Sequence, residues 1–157
     1  DGPSLVTLCL PHLQKAGYVS ENPDANTLTW VETMVTALRE HIQYGAQVTD
    51  AAKVFFTDEY EPENEETADV LKEETAPAVL TAFLKELEAL DEVTADTVQP
   101  LFKKVQKGVG VKGKFVYMPI RVALTGVMHG PDLNVIIALM GREKVVQRLR
   151  RSGLIAE

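Results

Sequence analysis

The chain has 157 residues, of which 45% are hydrophobic and 6% aromatic, and its formal net charge is −7. This length is enough for one large domain or two small ones with a buried core. The single cysteine, Cys9, excludes an internal disulfide and a cysteine-based zinc site, and no apolar run reaches the roughly 20 residues of a membrane span. We therefore expect a monomeric cytoplasmic protein with neither a metal nor a membrane partner.

The charges are distributed unevenly along the chain. Residues 1–99 contain five Lys/Arg and 20 Asp/Glu, whereas residues 100–157 contain 11 Lys/Arg and three Asp/Glu. A basic segment of this kind is typical of proteins in which one face binds a polyanion. A basic helix end that is merely exposed to solvent is the alternative interpretation.

Apolar residues at helical spacing, together with abundant Ala, Leu, Glu and Lys, predict an all-α fold. The first helix is expected over residues 4–16, with an interruption at Pro11. Thr29 and Glu32 fit a capping box for a second helix that continues to about Tyr44. Apolar residues on one face of this second helix predict a buried contact with its neighbours.

The middle of the chain contains an acidic segment, which predicts a loop over residues 59–74. A domain boundary is placed there, so that the domains are residues 1–72 and 73–157. An amphipathic helix is predicted over residues 75–90, with Pro77 tolerated in its first turn because the amide it lacks would be unpaired there. The next helix is expected to be capped by Thr94 or Asp96.

Residues 108–114 fit the pattern of a phosphate-binding loop, G-x-x-x-x-G-K. Such a loop next requires Ser or Thr as a magnesium ligand, and this chain has Phe115. It also requires a buried strand before it, whereas residues 99–107 indicate a helix. We interpret the glycines as a helix end followed by a turn.

The following segment predicts an apolar helix over residues 115–124 that carries a single charge, Arg121, and ends at Gly126. Pro131 is expected to be the first residue of the next helix, which ends at Gly141. An arginine inside an apolar helix is costly unless it meets carboxylates, phosphates or bases. A buried ion pair between Arg121 and a local acid is therefore the alternative to nucleic-acid binding. The turn 127–131 could likewise serve only to connect the two helices.

The last third of the chain contains a distinctive run of residues. It reads Met-Pro-Ile-Arg-Val-Ala-Leu-Thr-Gly at 118–126, His-Gly-Pro-Asp-Leu at 129–133 and Leu-Met-Gly-Arg-Glu-Lys at 139–144. This run resembles the C-terminal end of bacterial-type glutamyl-tRNA synthetases, and residues 55–60 resemble that family's segment before its acidic loop. The similarity covers nearly the whole chain, with its specific motifs in the final third.

The resemblance implies a helical, anticodon-binding fragment of an ATP-dependent ligase that couples glutamate to tRNA. The family's HIGH-like and KMSKS-like catalytic motifs do not occur in this chain. ATP and Mg²⁺ would therefore be used by a catalytic domain elsewhere, and we expect no cofactor in this chain. The implied fold consists of two small helical subdomains that form an α-helix cage around the anticodon.

The resemblance also implies which residues contact tRNA. Arg121 would contact the anticodon loop. The pocket for its unstacked bases would be formed by Met118, Pro119, Met128, Gly130, Pro131 and Leu133. Phosphates would be attracted by the surrounding basic residues, which are Lys103, Lys104, Lys107, Lys112, Lys114, Arg148, Arg150 and Arg151.

The position with which the family tests the last anticodon base falls on His41, next to Arg39. Family members restricted to glutamate tRNA tend to have Arg at this position. A neutral His donates one hydrogen bond where Arg offers five donors. We therefore expect glutamate tRNA as the partner and glutamine tRNA as a second one.

Three other interpretations compete with this one. The first is a helical protein–protein adaptor with an acidic docking surface, and the second is a helical nucleic-acid module unrelated to synthetases. The third, a helix-turn-helix DNA reader at residues 120–139, is disfavoured because its recognition helix, residues 133–140, is nearly uncharged. We therefore expect no DNA partner.

Overall fold

The computed structural model describes residues 2–41, 47–57 and 60–155, without the side chains of residues 2, 3 and 41. Every regular element in these ranges is helical, which confirms the all-α prediction. The elements in chain order are α1 (Gly2–Lys15), α2 (Ala25–Leu38), a 3₁₀ turn (Arg39–His41), α3 (Val48–Phe56), α4 (Glu65–Val70), α5 (Ala76–Glu88), α6 (Ala95–Val109), α7 (Lys114–Thr125), α8 (Leu133–Met140) and α9 (Arg142–Arg151). In the described part of the chain, no helix is long and apolar enough to cross a membrane.

Contacts within the chain divide it into two compact units, residues 1–59 and 60–157. Residues 60–72 belong to the second unit, because α4 packs against α7. The division into domains 1–72 and 73–157 stays a prediction.

In the first unit, α1 packs against α2 and α3. The α2 side chains that the helical spacing assigned to the interior are buried, and they are Val31, Met34, Val35 and Leu38. The predicted interruption at Pro11 is wrong, since Pro11 lies within a continuous α1. A proline removes one helical hydrogen bond, and the burial of Cys9 and Leu13 on the same helix offsets that loss.

The start of α2 differs from the prediction. The N-cap is Asp24, whose carboxylate accepts a hydrogen bond of 2.7 Å from the backbone N–H of Thr27. Thr29 lies inside the helix, where its hydroxyl donates to the carbonyl of Ala25. The capping box at Thr29 is therefore wrong, because an aspartate one turn earlier already caps the helix. The predicted end near Tyr44 lies outside the described residues.

In the second unit, α5 packs against α6, α7 and α9, and α8 packs against α6 and α9. The Phe83 and Phe102 rings stack with their centroids 5.5 Å apart and lie at the centre of the α5–α6 contact. Thr94 caps α6 through a box with Thr97, as the sequence predicted for Thr94. Pro77 lies in the first turn of α5, also as predicted.

Two predictions in this unit are wrong. The acidic segment expected to be a loop contains α4, which Asn64 caps by accepting from the N–H of Thr67. Pro131 is not the first residue of α8, because that helix begins at Leu133 with Asp132 as its N-cap. Pro131 belongs instead to the connection between α7 and α8, which is consequently longer than predicted.

Candidate nucleic-acid interface

The connection between α7 and α8 begins at a left-handed glycine. Gly126 has φ +77°, and its N–H donates to the carbonyl of Val122 to end α7. The hydroxyl of Thr125 donates to the carbonyl of Arg121 at 2.7 Å and accepts from the N–H of Val127 at 3.2 Å. The Thr-Gly pair therefore sets the direction in which the chain leaves the helix.

Arg121 lies one helical turn before this exit and is half-buried. Its Nη1 is buried and has no hydrogen-bond partner among the described residues. A Cβ placed on Gly130 would lie 3.2 Å from that nitrogen, so the loop backbone passes directly over the guanidinium. A buried donor without a partner is costly, and a ligand acceptor that reached it would remove that cost.

The electrostatic surroundings of Arg121 also bear on the alternative of a local ion pair. Burial lowers the pKa of Arg121, and the carboxylate of Asp132 opposes this effect. Within the described ranges, the ion pairs do not include Arg121, so Asp132 acts on it from beyond salt-bridge distance. The guanidinium remains charged and has donors available to a ligand.

Four of the predicted tRNA-binding residues line one shallow cavity of about 160 Å³. They are Lys114, Met118, Pro119 and Met128, with Phe115 beside them. The opposite side of the cavity is formed by α4, which carries Glu66 and Asp69, and by Glu73 in the turn after it. The apolar surface predicted for bases is therefore bordered by carboxylates, which repel RNA phosphates.

The other predicted contact residues lie elsewhere. Gly130 and Pro131 are half-buried in the loop beside Arg121, whereas Leu133 is 3% exposed and contributes to the core of the second unit. In the first unit, Arg39 is exposed within the 3₁₀ turn. The side chain of His41 lies outside the described residues.

Two arginines of the basic segment form structural contacts that the sequence did not predict. Arg142 donates from Nη1 to the carbonyl of Leu87 at 2.8 Å, at the end of α5. Arg148 is 2% exposed, and its Nη1 donates to the carbonyl of Leu124 at 2.8 Å, near the end of α7. The prediction that Arg148 attracts phosphates is therefore wrong, because its charge is buried against helix-end carbonyls.

Tyr60 explains the position of Arg148, and it was missed in the sequence. The guanidinium groups of Arg148 and Arg151 both lie over its ring, each 4.9 Å from the ring centroid, and its hydroxyl donates to the carbonyl of Ala123. Burial raises the pKa of Tyr60, and both arginines oppose this effect. Tyr60 thus connects residues before α4 to α7 and α9.

The remaining basic residues differ in their availability. Lys104 pairs with Glu86 at 3.0 Å and Arg150 pairs with Glu88 at 3.4 Å. Other lysines are exposed and form no ion pair with a described residue, and they are Lys103, Lys107, Lys112 and Lys114. These four are the basic side chains best placed to meet phosphates.

The two helical units and the loop beside Arg121 define a helical domain without a sheet in its described part. Residues 4–152 match the family model described as "Anticodon binding domain", and the chain therefore belongs to that family. The chain is 49% identical over 146 residues to the glutamate–tRNA ligase of Listeria monocytogenes serotype 4b, and 46% identical over 146 residues to that of Bacillus subtilis strain 168. These matches cover 92% and 93% of this chain and 30% of each relative, so the chain spans under a third of their length.

Two solved structures have a similar fold. A glutamate tRNA ligase from Elizabethkingia meningosepticum superposes with a TM-score of 0.79 at 16% identity, and a glutamate–tRNA synthetase from Elizabethkingia anophelis with 0.69 at 18%. Each superposition includes 96% of this chain and 28% of the chain in the solved structure. At these identities the likeness shows the fold alone.

Proposed function

We propose that the chain binds the anticodon loop of glutamate tRNA on behalf of a glutamate–tRNA ligase. This proposal rests mainly on the buried Nη1 of Arg121, which has no hydrogen-bond partner among the described residues and lies close to Gly130. An unstacked base or a phosphate of the loop would supply the missing acceptor. The exposed lysines of α6 and of the turn after it would attract the surrounding phosphates.

The rest of the reaction belongs to the whole protein. Under this proposal, a catalytic domain outside the chain attaches glutamate to the tRNA and uses ATP and Mg²⁺. The chain contributes recognition only, as a cytoplasmic monomer. Met118, Pro119 and Met128 are proposed to line the base pocket, and Gly130 and Pro131 to border the base at Arg121.

The test is binding of the 157-residue chain to glutamate tRNA, to the same tRNA with a replaced anticodon, and to duplex DNA, by fluorescence anisotropy. Replacing the anticodon should weaken binding about tenfold or more, because each misread base costs about 1–3 kcal/mol. Glutamine tRNA should bind within about tenfold of glutamate tRNA if His41 reads the last base through one donor. Equal binding of all three ligands would contradict the proposal, and a strong preference for glutamate over glutamine tRNA would contradict the role of His41.

The carboxylates that border this cavity provide a second test of where the RNA lies. If the cavity of Met118, Pro119 and Met128 faces the RNA, then the Glu66→Gln/Glu73→Gln variant should bind tRNA about two- to thirtyfold more tightly, since each of the two surface charges contributes roughly 0.2–1 kcal/mol. The effect should diminish at high salt.

The matched control for this test is Glu74→Gln/Glu92→Gln. It removes the same charge from exposed positions that do not line the cavity. If both double variants gained the same tRNA affinity, the effect would be due to net charge, and the result would contradict the proposal that bases bind in this cavity.

A further inference from the structure

A groove lies on the second unit, on the α6 side, and nothing in the sequence predicted it. This α6 groove is an open depression of about 490 Å³ between α6, α7 and the start of α8. Its polar and aromatic lining consists of Asp96, Gln99, Lys103, Gln106, Tyr117 and Asn134. Its volume falls within the range typical of sites for small ligands.

The polar groups of the α6 groove are largely free of protein partners. The side-chain amides of Gln99 and Gln106 form no hydrogen bond with a described residue, and Lys103 forms no ion pair with one. Asn134 donates from its amide to the carbonyl of Ala95 at 3.3 Å, which fixes its orientation at the groove. Amide, ammonium and carboxylate groups are the types that bond to the edges of nucleic-acid bases.

Tyr117 supplies an aromatic surface. Its ring is half-buried and packs at 43° against Phe102, with the centroids 4.8 Å apart. Phe102 is itself held in the core by its stacking on Phe83. A ring supported in this way can accept a stacked base without losing much conformational freedom.

The α6 groove is lined by the same helix, α7, that carries the proposed reading residue Arg121. Tyr117 and Arg121 are four residues apart on α7 and therefore lie on the same face of the helix. Asn134 lies two residues after Asp132, the acid that acts on Arg121. Because Lys103 and Asp96 balance each other, the groove has no net charge, and stacking and base-edge bonds would dominate its affinity.

We propose that the α6 groove binds one further unpaired nucleotide of the same RNA loop, next to the base held at Arg121. Tyr117 stacks on this nucleotide's base, Gln99 and Gln106 bond to its edge, and Lys103 meets its phosphate. This proposal rests on the proposed function, since it assumes a single-stranded RNA loop at Arg121. Stacking of this kind tolerates any base, and a rotatable glutamine amide can donate to one base edge or accept from another, so the groove adds affinity rather than anticodon selectivity.

The test measures the affinity of the 157-residue chain for a hairpin of the glutamate tRNA anticodon arm. Tyr117→Leu should weaken binding at least fivefold, the lower limit for losing one stacked base. The double variant Lys103→Ala/Gln106→Ala, which removes a phosphate contact and a base-edge contact, should also weaken it about fivefold or more. Tyr117→Phe, which keeps the ring, should bind within twofold of the unchanged chain. Lys107→Ala removes the same charge as Lys103→Ala from a position outside the groove and should cost less than about threefold.

The double variant Lys103→Ala/Gln106→Ala keeps the test informative if Tyr117→Leu unfolds the domain, because Lys103 is exposed and Gln106 is only half-buried. The nucleotide site in the groove would be contradicted if both groove variants bound the hairpin as tightly as Lys107→Ala does. It would also be contradicted if the unchanged chain bound equally well to a hairpin whose loop nucleotides are base-paired. The groove variants should also weaken binding by the same factor for every anticodon. If the groove variants weaken binding in this way but the unchanged chain binds all anticodons equally, the proposed function is contradicted and the nucleotide site in the groove is supported.

Discussion

Replacing Gly126 by Ala is expected to lower the free energy of unfolding by about 2–5 kcal/mol. The residue has φ +77°, a conformation that costs a residue with a side chain roughly 1–2 kcal/mol. An added Cβ would also lie 2.8 Å from the backbone carbonyl oxygen of Glu61, and overpacking of this kind costs about 1–3 kcal/mol. Backbone atoms cannot rotate away, so the segment before α4 would have to move.

Gly110→Ala is the matched control for this prediction. Gly110 has φ +79° at the end of α6, and an added Cβ would meet nothing within 4 Å. It should lose only the conformational contribution of about 1–2 kcal/mol. The measurement is urea unfolding of both variants followed by circular dichroism. Equal losses would show that residues near Glu61 do not pack against Gly126.

The Gly126→Ala change should also reduce RNA binding. Glu63 donates its N–H to the carbonyl of Gly126 at 2.9 Å, and Tyr60 donates to the carbonyl of Ala123. Displacing this segment therefore disturbs the end of α7, from which the loop over Arg121 departs. Gly110→Ala, at the end of a different helix, should leave RNA binding almost unchanged.

Replacing Arg121 by Ala is expected to weaken binding of glutamate tRNA by about 1–3 kcal/mol, the typical cost of losing an arginine that reads a base. Anisotropy titrations with matched and replaced anticodons would measure this loss. The variant should also discriminate less between the two anticodons. Removing a buried donor that has no partner among the described residues should not destabilise the fold, so the unfolding midpoint should stay the same or rise.

Two further variants make the role of Arg121 specific. Arg121→Lys keeps the charge but loses the planar fork, so it should recover only part of the affinity. Arg150→Ala removes a positive charge from an exposed position and should weaken binding by less, with little effect on anticodon discrimination. Unchanged affinity in Arg121→Ala, together with a lower unfolding midpoint, would make Arg121 a structural residue.

Much of the fold could be predicted because it depends on neighbouring residues. The buried positions of α2, the cap at Thr94 and the glycine that ends α7 follow from helical spacing and local hydrogen bonding. The errors at Thr29 and Pro131 were also local, because Asp24 caps α2 with its carboxylate and α8 begins two residues after Pro131, with Asp132 at the N-cap position. The unusual character of Arg121 was visible for the same reason, since a charge in an apolar helix stands out in the sequence.

The sequence by itself determined the helices, their ends and the singular arginine, since hydrogen bonds and side-chain spacing within a few residues decide them. The tertiary structure alone decided which charges are exposed. Arg148 looks like any other arginine of a basic helix, and only its contact with Tyr60, far away in the chain, shows that its charge is buried. Likewise, Met118 and Met128 face carboxylates of α4, and Tyr117 faces α6, because packing between distant segments sets what lies opposite each helix face.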